Sequence, residues 1–293
     1  MKALIVVLAL LFLSAAVKLS GAPQQDFSKV EMKPTKVAGN VYMLEGSGGN
    51  IGVSVGPEGV LIIDDQFAPL ADKIRGAFRS LAQGQPDNKL RYVLNTHWHG
   101  DHTGSNAIFG QEAPIIAHIN VRNRLSAAAS TAKSALPVVT YDKGVSVHFN
   151  GEEIRLTHYP NGHTDGDTII YFTKSNVVHM GDHMMTGRFP YVDFGSGGSV
   201  EGIERNIGAV IKALPADVKV IPGHGPLATL DDIKAYHGVL VETMAIVRKH
   251  IAAGKSLDDV KKAGLPDKYQ SWGSGFINTD RWLETLYKGL SAK

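Results

Sequence analysis

Leu90-Arg91-Tyr92-Val93-Leu94-Asn95-Thr96-His97-Trp98-His99-Gly100-Asp101-His102 is the stretch on which the reading of this chain turns. Its first five residues read as a buried strand. The strand runs into three imidazoles and a carboxylate: His97, His99, Asp101 and His102. If extended backbone persists to His99, then His97 and His99 share a face, because side chains alternate along a strand, and Trp98 points away into packing. Gly100 and Gly104 would let the chain turn sharply and bring Asp101 and His102 back to the same point. Three imidazoles and one carboxylate suit a Zn²⁺-like ion, whereas Ca²⁺ and Mg²⁺ prefer all-oxygen sites. The 293 residues contain no Cys. That excludes disulfides, thiolate ligands, Cys nucleophiles and a lipoprotein anchor.

Three later segments each place one further candidate ligand on a Gly-flanked strand end, where a rigid sheet holds it and a short loop exposes it. They are His163 in Asn161-Gly162-His163-Thr164-Asp165-Gly166-Asp167, Asp182 in Met180-Gly181-Asp182-His183, and His224 in Pro222-Gly223-His224-Gly225. His118, His148, His158, His179, His237 and His250 fit no ligand pattern and read as structural or surface residues. His183 stands beside a ligand position.

Around these motifs the chain alternates strands and helices. Short strands are expected at 41–44, 51–55, 60–63, 145–149, 154–158, 168–172, 177–180 and 218–221. A helix is expected over 70–81. Another begins at the N-cap Ser199, and a long one at the capping-box pair Thr229 and Asp232. Ser256 with Asp259 starts one more, and 281–290 forms the last. The order is strands then helix, twice over, so two sheets packed face to face with helices outside would bury both apolar faces of each sheet. Gly46-Ser47-Gly48-Gly49-Asn50 reads as a hairpin turn, with a flap over the site as the alternative.

Composition is that of an ordinary globular protein, 43% hydrophobic and 20% charged. Thirty Lys and Arg balance 28 Asp and Glu, which gives no electrostatic case for nucleic acid as a partner. Lys2 followed by the apolar run 3–17 has the length of a signal-peptide core and is short for a membrane span. Residues 1–22 are therefore expected to be an export signal, cleaved after Ala16 or Ala22. That makes the protein periplasmic or secreted, with no membrane association after cleavage. Residues 23–36 read as a linker, and 37–293 as a single domain.

Taken in order, Asp64-Asp65, His97-x-His99-x-Asp101-His102, His163, Asp182 and His224 resemble the motifs of metallo-β-lactamase-fold hydrolases. The similarity spans about residues 37–253. It implies an αββα sandwich of two mixed sheets with helices on the outer faces. It also implies two metal sites: His97, His99 and His163 for one ion, Asp101, His102 and His224 for the other, and Asp182 bridging both. Asp64 would be the buried carboxylate that braces the His loop. The implied cofactors are two Zn²⁺, with iron or manganese as alternatives. Asp182, in a chain without Cys, is similar to the glyoxalase II and lactonase branches rather than to many true β-lactamases. His99 stands where the flavodiiron oxidoreductases have Glu.

The expected activity is hydrolysis of an ester, lactone, thioester or amide in a small molecule, by a hydroxide shared between the ions and oriented by Asp101. The alternatives are a β-lactamase and an iron-dependent oxidoreductase of the same fold. No Ser nucleophile elbow is evident. Arg188, as a carboxylate clamp, and Tyr191, as a donor to a carbonyl, are the expected substrate contacts, because 184–191 follows Asp182. The tail after Gly254 is short for a glutathione-binding helical domain.

Overall fold

The computed structural model describes residues 26–291, so the expected signal segment lies outside the described residues. In chain order the elements are β1 (Lys33–Ala38), β2 (Val41–Glu45), β3 (Ile51–Gly56), β4 (Gly59–Ile63), α1 (Ala71–Leu81), β5 (Leu90–Leu94), α2 (Gly100–Thr103), α3 (Asn106–Phe109), β6 (Ile115–His118), α4 (Ile119–Ala127) and β7 (Val139–Tyr141). The second half contains β8 (Gly144–Phe149), β9 (Glu152–His158), β10 (Thr168–Phe172), β11 (Val177–His179), α5 (Val200–Ala213), β12 (Lys219–Ile221), β13 (Ala228–Thr229), α6 (Leu230–Ala252), α7 (Leu257–Ala263) and α8 (Thr279–Ser291).

The strands form two sheets, ordered β1-β2-β3-β4-β5-β6-β7 and β13-β12-β11-β10-β9-β8. Both are mixed: β4, β5, β6 and β7 run parallel in the first, as do β11 and β12 in the second. Period-two patterning decides how they pack. On β4, Leu61 and Ile63 enter the core between the sheets, while Val60 and Ile62 face α1 on the outside. On β11, Val177 faces inward and Val178 outward, onto the core shared with α5, α6 and α8. Three apolar layers result, and the expected αββα sandwich is the fold.

Helix starts follow the expected capping chemistry. The Ser199 side chain accepts from Gly202 N, and Thr229/Asp232 and Ser256/Asp259 each form a full capping box. Trp282 on α8 is completely buried, and its Nε1 donates to Thr243 on α6 at 3.1 Å.

The expected linker 23–36 is a correction. Residues 33–36 belong to β1, an edge strand pairing with β2, and Phe27, Val30 and Met32 pack on the first outer core. Pro34 is tolerated there because an edge strand has a side that needs no ladder donor. Among the described residues no helix is long and apolar enough to cross a membrane.

Candidate metal centre

All seven expected ligands converge at one end of the sandwich, in the seam between the sheets. Strand β5 ends at Leu94, so His97 and His99 stand on a loop rather than on a continued strand. Their rings still meet, with His97 Nε2 3.2 Å from His99 Nδ1. The turn that returns Asp101 and His102 is α2, a single helical turn; neither Gly100 nor Gly104 has a positive φ. Gly104 is required for space instead, because a Cβ there would strike the Gln66 and Gly100 carbonyls.

His163 comes from the loop after β9, Asp182 from the turn after β11 and His224 from the loop after β12. Three groups of donor atoms each lie within 4.8 Å of one another: His97, His99 and His163; Asp101, His102 and His224; and His97, His102 and Asp182. Asp182 stands between the first two groups. Its Oδ1 is 3.2 Å from His102 Nε2 and 3.3 Å from His224 Nε2. Its Oδ2 is 3.6 Å from His163 Nε2 and 4.0 Å from His97 Nε2.

Each buried ring is oriented from behind, which fixes its tautomer. Asp64, fully buried and held at φ 64°, accepts from Thr96 N, from Thr96 Oγ1 and from His102 Nδ1 at 2.7–2.8 Å. The Thr96 oxygen lies 3.0 Å from His97 Nδ1 and accepts its proton, so Asp64 braces one ring of each group. His163 Nδ1 donates to the Tyr191 carbonyl at 2.8 Å, and His99 Nε2 to Asp193 at 3.0 Å. The Gly46–Asn50 hairpin turn also packs on the site: Gly49 N donates to the Asp101 carbonyl, and a Cβ on Gly49 would overlap the His102 ring. Asn50 Nδ2 donates across to the Pro222 and Gly225 carbonyls, beside His224. The turn and flap readings thus describe one structure.

Burial and neighbouring imidazoles hold the His97 pKa well below its ordinary value, and burial takes His163 down to about 4. Burial opposes charge at His102 and His224 too. There Asp182 and Asp101 outweigh it, raising His102 well above the usual range and His224 to about 9. His224 and His102 in turn hold Asp182 well below the carboxylate range, against its burial.

The donor set fits divalent ions. With every outward nitrogen of these buried rings donating, the inward lone pairs of His97, His99 and His163 face one another at 2.8–3.2 Å. Two nitrogens at ~2.0–2.1 Å on a tetrahedral ion would sit about 3.3 Å apart. Asp182 Oδ1 is buried and accepts no well-aligned hydrogen bond, and the groups nearest it, His102 and His224 Nε2 at 3.2 and 3.3 Å, are themselves candidate donors to an ion, which is an ordinary setting for a metal ligand.

Arg188 and Tyr191 line the cleft above the ligands, which has a volume of about 730 Å³. Asp193, Thr96 and the cleft aromatics Phe67 and Phe276 were missed in the sequence. Asp193 belongs to no spacing pattern, and an aromatic in Gly273-Ser274-Gly275-Phe276 is the only hint of the last. His179 donates to the Asn50 carbonyl and His183 lies 3.1 Å from Asn206 Nδ2, both in packing roles.

Comparisons agree with this geometry. The model of the metallo-beta-lactamase superfamily matches residues 34–225. The 2,4-dinitroanisole O-demethylase subunit alpha of Nocardioides sp. (strain JS1661) is 25% identical over 233 residues, 78% of this chain and 69% of that one. The hydroxyacylglutathione hydrolase of Rhodospirillum rubrum is 31% identical over 159 residues, so the match spans 53% of this chain and 54% of that relative. A metallo-beta-lactamase from Pontibacter korlensis superposes with a TM-score of 0.62 at 16% identity, over 72% of this chain and 99% of that one, a likeness of fold. With the family's fold, its model match and a converged ligand set in place, the chain belongs to the metallo-beta-lactamase superfamily.

Proposed function

We propose that the protein is an exported hydrolase that holds two zinc ions and cleaves an ester, lactone, thioester or amide. The observation that carries this reading is the pair of three-ligand groups sharing Asp182, with Asp101 facing the open cleft. Relatives named as hydroxyacylglutathione hydrolases support hydrolysis as the reaction type.

Bound divalent ions supply Lewis acidity and a water whose pKa falls to about 7. The protein's own groups do the rest. His97, His99 and His163, and opposite them His102 and His224, fix where the ions sit, and Asp182 holds the two halves at one separation. Asp101 Oδ2, 3.4 Å from His224 Nε2 and 3.6 Å from His102 Nε2, orients the attacking water and takes its proton. Tyr191 packs against the His99 and His163 rings, and in this reading its phenol donates to the substrate carbonyl. Arg188 clamps an acidic group on the rim.

The test is elemental analysis of the purified protein paired with a panel of esters, lactones, thioesters, amides and β-lactams. About two zinc ions per chain and turnover of a non-lactam carbonyl are expected. Faster turnover of nitrocefin than of any ester would replace this reading with a β-lactamase, and iron in place of zinc with no turnover of any carbonyl in the panel would replace it with an oxidoreductase. Export is checked by the mass of the native protein, which is expected to lack Met1 to Ala16 or to Ala22.

A further inference from the structure

The superfamily match ends at residue 225, yet Phe276, far beyond it, lines the cleft. The segment 269–278, between α7 and α8, is tied down at several points. Tyr269 and Ile277 are buried, and the Trp272 carbonyl accepts from Phe189 N at 3.1 Å. The Trp272 ring packs on Tyr236 of α6. A Cβ on Gly275 would crowd the Arg188 stem, so the guanidinium arm lies along this backbone. With Ile277 anchored inward, Phe276 is presented outward. It is 73% exposed, more than any other large hydrophobic side chain among the described residues. Its ring meets Tyr191 edge-on at 6.2 Å, and the Arg281 guanidinium covers it at 4.7 Å.

An aromatic ring held open to solvent at the mouth of a cleft costs free energy that a bound apolar group would recover. Phe67 and Met185 line the same cleft. Apart from the metal-ligand residues, Arg188 is the single charged residue lining this cleft, and it has no ion pair among the described residues. A volume of about 730 Å³ is that of a site for a drug-sized molecule. Such walls suit a flat apolar body with one negative charge and give little to a substrate carrying several charges, such as a glutathione conjugate.

We infer that segment 269–278 is a specificity wall read through Phe276, and that the cleft takes carbonyl substrates with an aromatic or comparably bulky apolar body and one acidic group facing Arg188. The choice of reaction rests on the hydrolase reading; the wall does not.

Calorimetry on the metal-loaded full chain separates the two, with naphthalene-2-sulfonate, neutral 2-naphthylmethanol and methanesulfonate as probes. Naphthalene-2-sulfonate is expected to bind most tightly. Phe276→Ala should weaken it about tenfold, with recovery in Phe276→Tyr, and Arg188→Gln should weaken the sulfonate without weakening the alcohol. In turnover, Phe276→Ala should lower the preference for a phenylacetyl over an acetyl ester, mainly through KM. Equal affinity in wild type and Phe276→Ala, or methanesulfonate binding as tightly as the naphthalene, would overturn the wall. Phe276-dependent binding with no turnover of any ester, lactone, thioester or amide would uphold the wall and remove the hydrolase reading.

Discussion

His97, His99 and His163 meet as three imidazoles, two of them almost wholly buried, whereas Asp101 and His224 of the opposite group are 29% and 22% exposed and open on the cleft. The first group is supported by a hydroxyl, a backbone carbonyl and the Asp193 carboxylate. The second has Asp64 behind His102 and Asp101 and Asp182 in front. Burial and neighbouring imidazoles therefore disfavour charge on His97 and His163, whereas Asp182 and Asp101 favour it on His102 and His224, although the same Asp182 faces both groups. The difference teaches that one half of the cluster is enclosed and the other open to the cleft; under the proposed function the first would retain an ion and the second would keep one face free for substrate.

The most severe way to break this comparison is Asp182→Asn. It replaces one of the two oxygens that face the separate groups with an amide NH2 and removes the charge, so bound metal should fall from about two per chain toward one, and turnover by more than the 10- to 100-fold that loss of a supporting partner costs. Unchanged stoichiometry by elemental analysis would show that the halves do not share it. Next come the supports. Asp193→Ala should weaken ion binding at the first half, and Asp64→Asn should act mainly on the second through His102, each by about 10- to 100-fold. Asn keeps the shape of Asp64 and tolerates its positive φ. Equal losses at both halves in both variants, by cobalt titration followed spectroscopically, would refute separate supports. A milder probe is a chelator titration: the open half should empty first, giving two resolved steps, and a single step would mean the halves are equivalent.

The smallest effect comes from an imidazole pair that belongs to neither half. His118, buried, and His158, partly buried, stack at 3.7 Å beside Asp142, Asp165 and Tyr141. Burial lowers both pKa values, and His158 lowers His118 further. Depressed histidines leave stability intact above the unfolded-state pKa of about 6.5 and erode it as pH falls below that value. Melting temperature should drop by a few degrees between about pH 7 and pH 5.5, and less in His118→Gln. An identical pH dependence in the variant would exclude the pair as the cause.

How much of this was legible follows from what each signal depends on. The His and Asp candidates sit at Gly-flanked ends of apolar runs, so spacing revealed them even where the strand is only three residues long. The strands β4, β5 and β10 and the helices with caps at Ser199, Thr229 and Ser256 were equally plain. The region β6–α4–β7 was not: its strands are four and three residues long, and α4 buries only Val121, which leaves no periodicity to find. Edge strand β1 reads as linker because four of its six residues are exposed. Asp193 and Phe276 reach the site through tertiary packing alone, 94 residues from His99 in the first case, and no local pattern marks them.

Each ligand group draws two side chains from the loop after β5 and one from a loop of the opposite sheet. A filled centre is thus a rivet through both layers. It adds about 4 kcal/mol of cohesion when free ion stands ~1,000-fold above its Kd. A stripped centre lacks that tie at the rim, so separation of the layers should begin there, and retained metal serves as a gauge of whether the sandwich is shut.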